Sequence, residues 1–142
     1  MNKNIHSVVF IKTHKDAKTP FKKYPGDAGY DLYAVEDQVV FANAPIVIKT
    51  GIRVALPKGY YAEIHTRSSQ GLKGTRNHLG VVDEGYRGEI APIMISLKHI
   101  HVMKGDKIGQ LILKKRIEAN FIEVDYLPKS DRGTKGFGST GK

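Results

Sequence analysis

The 142-residue sequence has no cysteine and no tryptophan, and its N-terminal region lacks a long hydrophobic run. Without cysteine the chain forms neither a disulfide nor a thiolate metal site, and nothing in it indicates an oxidising compartment. The apolar run at residues 8–11 is too short for a signal peptide or a membrane span. We therefore expect a cytoplasmic protein, or an intracellular protein of the host if the source is viral, without a membrane partner.

The composition allows one modest domain. Apolar residues make up 40% of the chain, and this length fits one domain better than two. Lys and Arg number 23 against 14 Asp and Glu, and the formal charge of +9 favours a polyanionic partner, either nucleic acid or a phosphorylated small molecule. Because the positive residues are spread along the chain without a compact block, we expect no stable binding of nucleic acid.

Short runs rich in Val and Ile alternate with turn-forming residues along the chain. No window has a sustained helical stripe, and at most one short helix fits, near residues 69–73. Many short strands at this spacing predict an all-β barrel or sandwich. The candidate strands are residues 7–11, 39–41, 46–49, 52–56, 60–65, 80–83, 89–95, 107–114 and 121–126.

The glycine-rich segment at residues 132–142 differs from the rest of the chain. It contains four glycines, and Phe137 is its only large apolar side chain. It matches G-x-G-x-x-G and G-x-x-x-x-G-K, but those phosphate-binding motifs need a following helix that this sequence does not provide. Its local chemistry still fits a nucleotide, because Arg132, Ser139 and Thr140 offer charge and hydroxyls to phosphate, and Phe137 suits stacking on a planar ring.

Three other patterns have competing interpretations. His99 and His101 share one face of a possible strand, as metal ligands do, but no third ligand lies nearby in sequence. Ser68-Ser69 lacks the surroundings of a nucleophilic serine, so donation to phosphate is the better interpretation. Residues 80–90 place a polar turn between two apolar stretches, which predicts a β-hairpin, and Asp83 in that turn is either a functional or an ordinary turn carboxylate.

Five segments at residues 28–34, 67–69, 80–88, 105–111 and 132–141 resemble, in content and order, the five motifs of the trimeric dUTPase family. The resemblance implies an all-β, jelly-roll-like β-barrel domain at residues 1–131 and a flexible glycine-rich C-terminal arm at residues 132–142 that closes over the active site. It also implies a homotrimer whose active sites lie at the subunit interfaces and are shared between chains.

The resemblance further implies hydrolysis of dUTP to dUMP and pyrophosphate, which limits uracil incorporation into DNA and supplies dUMP for dTMP synthesis. In this reaction Asp83 would activate the water that attacks the α-phosphorus, and Asp31 would hold Mg²⁺ through bound water. The implied substrate-binding residues are Arg67, Ser68, Ser69, Asn77, Gly80, Val81, Val82, Tyr86, Gln110, Arg132, Phe137, Gly138, Ser139 and Thr140.

The implied roles divide the nucleotide into three parts. Arg67, Ser68 and Ser69 would donate to the phosphate chain, Gln110 to the α-phosphate and Arg132 to the γ-phosphate. Asn77 and the backbone near Val81 and Val82 would contact the uracil edge, while Phe137 would stack on the ring. Tyr86 would lie against the deoxyribose and leave no space for a 2′-hydroxyl, so UTP would be rejected.

The sequence departs from the usual family pattern at Thr66, Lys107, Gly109 and Lys135, none of which removes a catalytic group. Three alternatives remain: a dCTP deaminase, which is related in fold but lacks the Asp–Tyr hairpin and this arm, a regulatory protein-binding role, and a nucleic-acid-binding module suggested by the charge. Release of pyrophosphate from dUTP alone separates the enzyme from the binding module.

Overall fold

The computed structural model describes residues 6–139 and residue 141. These residues form eleven short strands and one five-residue helix. In chain order the elements are β1 (Val9–Lys12), β2 (Gly29–Tyr33), β3 (Gln38–Val40), β4 (Ile46–Val47), β5 (Ile52–Ala55), β6 (Tyr60–His65), α1 (Ser68–Leu72), β7 (Thr75–His78), β8 (Gly80–Val82), β9 (Ile93–Ser96), β10 (Ile100–Val102) and β11 (Lys107–Lys115).

The strands pair antiparallel in four sheets. The widest sheet has the order β2-β11-β6-β8, a second has the order β4-β9-β7, and β1–β5 and β3–β10 form two-stranded sheets. The all-β class predicted from the sequence is therefore confirmed. The predicted closed barrel is not observed, because β2 and β8 pair with no further strand among the described residues and the widest sheet stays open.

Alternation of apolar and polar residues determines which face each strand buries. In β5, Ile52 and Val54 are buried while Arg53 is exposed, and in β6 Ala62 and Ile64 point inward. Burying an aliphatic side chain of this size contributes roughly 1.5–3 kcal/mol. The core between the sheets is therefore what holds the short strands in register, and its other members include Leu32, Val40, Ile48, Ile90, Met94, Ile108 and Leu111.

Most of the predicted strands are confirmed, and the short helix predicted near residues 69–73 is α1. Residues 89–95 form a strand only from Ile93 onward, because Pro92 has no N–H to donate to a sheet. The sequence did not predict β2 or β7, and it indicated β10 only as a possible strand at His99 and His101. β2 places Gly and Asp among Tyr and Leu, and β7 contains no apolar residue.

The strand predicted at residues 121–126 is wrong. β11 ends at Lys115, and every described residue beyond it is exposed except half-buried Gly136. The ring of Phe121 is fully exposed and Tyr126 is 85% exposed. A strand requires a partner to hydrogen-bond with, and among the described residues none pairs with this segment.

The one helix found in the described residues is five residues long, so no described helix has the length and apolarity needed to cross a membrane.

Candidate active site

A polar cleft of about 420 Å³ lies where β2, β11 and the start of α1 meet. Its lining brings together three segments that are far apart in sequence. The lining has a net positive charge because Lys22, Lys23, Arg67 and Lys107 outnumber Asp27 and Asp31. Asp31, Ser68 and Gln110 also line it. The structure therefore places the sequence-predicted residues Asp31, Arg67, Ser68 and Gln110 around one cleft suited to an anion.

Asp31 is the lining residue that joins two of the cations of this cleft. Its side chain is 19% exposed, and its Oδ1 accepts a hydrogen bond from Arg67 Nε at 3.0 Å. Its Oδ2 lies 3.4 Å from Lys107 Nζ. Both carboxylate oxygens are thus engaged by cations of the cleft lining.

Arg67 stands at the N-terminal cap of α1 and orients the following serines. The Gln70 side chain accepts from Arg67 N at 2.9 Å, which stabilises the turn into the helix. Arg67 Nη1 also donates to Ser69 Oγ at 3.3 Å. The guanidinium and the hydroxyls of Ser68 and Ser69 are therefore grouped at one helix end, where they can donate to phosphate oxygens.

Gln110 lies over Gly29, and this contact depends on the absence of a side chain at position 29. A Cβ atom on Gly29 would collide with Gln110 Oε1 and lie 2.8 Å from its Cδ. Gln110 Nε2 donates to Thr66 O at 3.3 Å, which holds the amide beside the Arg67 segment. Gly29 therefore provides the space in which the Gln110 amide can face the cleft.

The Asp83 carboxylate lies in a tight turn after β8. Tyr86 N donates to Asp83 O at 3.0 Å, and Asp83 is exposed. The next residue, Glu84, is held away from it: Glu84 Oε2 accepts from Gly59 N at 2.9 Å and from Arg116 Nη2 at 3.0 Å. The Gly59 amide and then the Arg116 guanidinium lower the pKa of Glu84. This tether fixes the turn and leaves Asp83 open to solvent.

Tyr86 is positioned by the same turn. Its hydroxyl donates to Glu89 O at 3.1 Å, and its ring lies across Gly88, where a Cβ atom would collide with it. The side chain is 46% exposed. It therefore presents one ring face to solvent in a fixed orientation beside Asp83.

The cleft and the Asp83 turn lie at opposite edges of the widest sheet. Asp31 on β2 is in register with Gln110 and then His65, whereas Val82 on β8 is in register with Ala62. Across the sheet, three strand spacings separate β2 from β8, which is about 14 Å. Along the strands, the line of residues paired with Asp31 lies three residues from the line paired with Val82, which is about 10 Å. Within one chain Asp31 and Val82 are thus roughly 17 Å apart, so the two groups of residues do not meet.

The side chain of Asn77, which is expected to contact uracil, is buried against β6 and β11. Asn77 is only 8% exposed, and its Nδ2 donates inward to Ile108 O at 2.9 Å and His65 O at 3.3 Å. Its Oδ1 is buried without a partner among the described residues. In β7 alternate residues are buried, and the register of β7 with β9 assigns Asn77 to the inner face. The contact between Asn77 and uracil stays a prediction.

The described residues of the predicted arm form local turns. Arg132 Nε donates to Lys135 O at 2.9 Å, and Ser139 N donates to Gly136 O at 3.0 Å. Phe137 is fully exposed with a φ of 52°, and Gly138 has a φ of 84°. Within the described part of the arm, the hydrogen bonds join residues 130–141 to one another. Thr140 lies outside the described residues.

Lys22 and Lys23 contribute to the cleft although the sequence analysis assigned them no role, and Lys107 was noted only as a departure from the family pattern. The adjacent pair Lys22-Lys23, shortly before Pro25-Gly26, was a usable signal, because a loop with paired cations near a phosphate motif favours an anion site. The contribution of Lys107 depends on register and could not be read from sequence.

Other ionisable clusters have structural explanations. Glu63 Oε1 accepts from Lys114 Nζ at 2.7 Å and from His65 Nε2 at 2.9 Å, and Lys114 followed by His65 lowers the pKa of Glu63. His99 Nδ1 accepts from Ala42 N at 3.0 Å, so it caps a backbone amide. In the described part of the chain, no three His, Asp or Glu side chains are grouped as metal ligands.

The fold and these residues define an all-β protein with a cationic cleft of about 420 Å³ and a separate carboxylate-bearing turn. A family model described as dUTPase matches residues 15–141. A deoxyuridine 5'-triphosphate nucleotidohydrolase of cowpox virus (strain GRI-90 / Grishak) is 43% identical over 143 residues, covering 99% of this chain and 97% of the relative.

A protein with the same description from Tropheryma whipplei (strain Twist) is 42% identical over 136 residues, covering 90% of this chain and 92% of that relative. A solved dUTPase of Staphylococcus bacteriophage 80alpha, with dUpNHpp, has the same fold, with a TM-score of 0.89 at 24% identity over 97% of this chain and 100% of the phage chain. The chain therefore belongs to the dUTPase family and is an enzyme of the nucleotide hydrolase class.

Proposed function

We propose that this chain hydrolyses dUTP to dUMP and pyrophosphate, with Asp83 as the general base. The Asp83 carboxylate would accept a proton from a water whose oxygen bonds to the α-phosphorus, while the bond from that phosphorus to the oxygen bridging to the β-phosphate breaks and pyrophosphate leaves. The observation that carries the proposal is the exposed Asp83 in a turn held by Glu84, in a chain of this family that also has a cationic cleft.

The separation of the two groups of residues supports a shared site. A single water joins groups only about 6 Å apart, which is far less than the roughly 17 Å that separates Asp31 from Val82 in one chain. The cleft of one chain and the Asp83 turn of another would therefore come together, and a homotrimer would form three such sites by rotational symmetry. The exposed apolar side chains of residues 121–127 would then be covered by neighbouring chains.

Base and sugar recognition would take place at β8 and the following turn. Because β8 is the edge strand of its sheet, one side of the backbone of Gly80, Val81 and Val82 has no partner strand among the described residues and is available to pair with the edge of uracil. The exposed Tyr86 ring would lie against the deoxyribose and exclude a 2′-hydroxyl.

Mg²⁺ would be held at the cleft by Asp31 through water. The residues fit such an ion, because a single carboxylate beside a triphosphate suits a cation that retains its hydration shell, and the described residues provide no all-protein cage. The ion supplies neutralisation of charge that develops on the phosphate oxygens. Arg67, Ser68 and Gln110 of this chain would donate to the same phosphate chain and hold the α-phosphorus in line with the attacking water.

The arm at residues 132–142 would complete the site when nucleotide binds. Arg132 would pair with the γ-phosphate, Ser139 and Thr140 would add hydroxyls, Gly138 would allow close approach of the backbone, and Phe137 would stack on uracil. The exposed Phe137 ring and the hydrogen bonds confined to the described arm residues support an arm that is free to close. Closure would expel water and strengthen the phosphate contacts.

The test is pyrophosphate release from dUTP, dCTP, dTTP and UTP, each with and without Mg²⁺. We expect release from dUTP with Mg²⁺ and little from the other nucleotides. Asp83→Asn should retain binding of dUpNHpp and lose most of kcat, because the amide cannot accept the proton. Turnover retained by Asp83→Asn would refute the base assignment, and salt-dependent DNA binding without hydrolysis would refute the enzyme.

A further inference from the structure

Two buried side-chain amides converge on one backbone carbonyl beneath the phosphate cleft. Gln70 and Asn77 are each 8% exposed. Gln70 Nε2 donates to Ile108 O at 3.1 Å, and Asn77 Nδ2 donates to the same oxygen at 2.9 Å. Amide side chains are seldom buried, and those that are buried are normally hydrogen-bonded. Two buried amides that donate to one carbonyl therefore fix the positions of the segments that they join.

Ile108 is the extra residue of a β-bulge in β11. Its pairing with β2 passes from Lys107 opposite Tyr33 directly to Gly109 opposite Leu32. A bulge leaves one residue outside the regular ladder, so its carbonyl needs another donor. A buried carbonyl without a donor costs about 1–3 kcal/mol, and the two amides remove that cost here.

The same amides connect the bulge to the phosphate-binding segment. Gln70 Oε1 accepts from Arg67 N at 2.9 Å while its Nε2 holds Ile108 O, so one side chain joins the start of α1 to β11. Asn77 N donates to Thr66 Oγ1 at 2.7 Å, which attaches the residue before Arg67 to β7. Gln110, two residues after the bulge, is therefore tied to Arg67 through a buried network.

We propose that Gln70 and Asn77 are positioning residues that hold the Arg67-Ser68-Ser69 segment at a fixed distance from Gln110 through the Ile108 carbonyl. The expected effect of these residues on catalysis rests on the proposed function, whereas their expected effect on the structure of the Arg67 segment does not. Neither Gln70 nor Asn77 is in the lining of the phosphate cleft. They act by preorganising two groups of phosphate donors that a 1 Å displacement would misalign.

Gly109 is the third component of this arrangement. A Cβ atom at position 109 would lie 2.7 Å from Asn77 Nδ2 and 3.3 Å from both His65 O and Pro92 Cγ. The Asn77 amide is held by His65 O and Ile108 O and cannot retreat without losing both bonds. The absence of a side chain at position 109 therefore leaves space for the Asn77 amide, and Gly109→Ala should displace that amide.

The first test is Gln70→Met, which conserves volume and removes both hydrogen bonds. We expect kcat/KM for dUTP to fall about tenfold or more. The Kd for dUpNHpp should rise by a similar factor, and the Kd for dUMP should change less than about twofold because it lacks the outer phosphates. Leu72→Met, at a 91% exposed position of the same helix, is the control and should match wild type. Equal losses of dUpNHpp and dUMP affinity, or no loss in a folded variant, would overturn the proposal.

Gln70→Glu gives a signature that general destabilisation does not. The introduced carboxylate can accept from Arg67 N but repels Ile108 O, and burial raises its pKa. Protonation restores a donor toward the carbonyl. The kcat/KM of this variant relative to wild type should therefore rise as the pH is lowered, while the same ratio for Gln70→Met stays flat. Parallel profiles for the two variants would contradict the role of the donor.

Amide hydrogen exchange without nucleotide separates this inference from the proposed function. Exchange at Arg67 N, whose acceptor is Gln70, should accelerate by about tenfold or more in Gln70→Met and in Gln70→Ala, which serves if the first variant does not assemble. If wild type fails to hydrolyse dUTP but exchange accelerates, the proposed function fails and the positioning role stands. If wild type hydrolyses dUTP and exchange is unchanged, the positioning role fails.

Discussion

Replacing Gly29 with alanine adds one methyl group beneath the Gln110 amide, and it should separate activity from stability. Gly29 is in β2 and is not among the glycines with positive φ, so its backbone accepts alanine. The added Cβ would collide with Gln110 Oε1 and lie 2.8 Å from Gln110 Cδ and 3.1 Å from Gln110 Cβ. The Gln110 side chain must therefore leave its present position.

The two expected effects differ in size. Moving Gln110 breaks its 3.3 Å hydrogen bond to Thr66 O, which costs about 0.5–1.5 kcal/mol, and the loss of glycine entropy in the unfolded chain returns about 0.4–1 kcal/mol. Stability should consequently change by less than about 1 kcal/mol. Activity should change more, because removing one preorganised donor to a reacting phosphate costs about 10²–10³ in kcat.

The assay is pyrophosphate release at saturating dUTP, together with thermal unfolding of the same samples. Gly26→Ala is the matched control, because a Cβ atom there meets nothing within 4 Å. If Gly29→Ala acts through the amide, adding it to Gln110→Ala should produce little further loss. Activity of Gly29→Ala within twofold of wild type, or full additivity with Gln110→Ala, would refute the role of this contact.

Three further predictions concern the turn and the arm. Gly88→Ala should displace the Tyr86 ring and raise kcat/KM for UTP relative to dUTP about tenfold. Gly85→Ala should leave this ratio unchanged, because a Cβ atom at position 85 has no neighbour within 4 Å. An unchanged ratio in Gly88→Ala would contradict the exclusion of a 2′-hydroxyl by Tyr86. The pKa of Glu84 measured by NMR should lie below the ordinary glutamate range and rise in Arg116→Gln. The contribution of Glu84 to folding stability should therefore be present above that range and be lost as the pH falls through the lowered pKa. An unshifted pKa would contradict the contacts of Glu84 with Gly59 and Arg116. Removing residues 132–142 should strongly reduce kcat and leave a folded assembly, and full activity without them would make the arm a frayed end.

The strand pattern could be predicted because it depends on local alternation. Arg53 between two buried aliphatic residues of β5, and the similar alternation in β6, determine within four to six residues which face of each strand is buried. The polar cleft was also within reach, since Asp31, Arg67 and Gln110 lie in recognisable motifs. Asp31 and Gln110 are paired on adjacent strands, and Arg67 follows β6, which also pairs with Gln110. For these strands and this cleft, the local sequence pattern agrees with the tertiary structure, so the pattern was enough to predict them.

The inward direction of Asn77 could not be predicted, because it depends on a bulge at Ile108 and on the space left by Gly109. The error at residues 121–126 has a different cause. Phe121 and Tyr126 belong to a segment with strand-like composition, but strand formation needs a partner edge, and no described residue supplies one. Composition predicts that a segment can pair, and only the assembly determines whether it does.

The separation between the cleft and the Asp83 turn leads to a complementation experiment. Asp83→Asn keeps an intact cleft, and Gln110→Ala keeps an intact turn, so each variant alone should be nearly inactive. If every site takes its cleft from one chain and its turn from another, random assembly of equal amounts should restore about a quarter of wild-type activity, since each half is intact with a probability of about one half. If both halves came from the same chain, no mixture would contain an intact site.

Co-refolding the two variants and measuring pyrophosphate release distinguishes these cases. Recovery near zero in a mixed assembly of normal size would refute the shared site, because no arrangement of symmetry-related chains could then join Gln110 of one copy to Asp83 of the next.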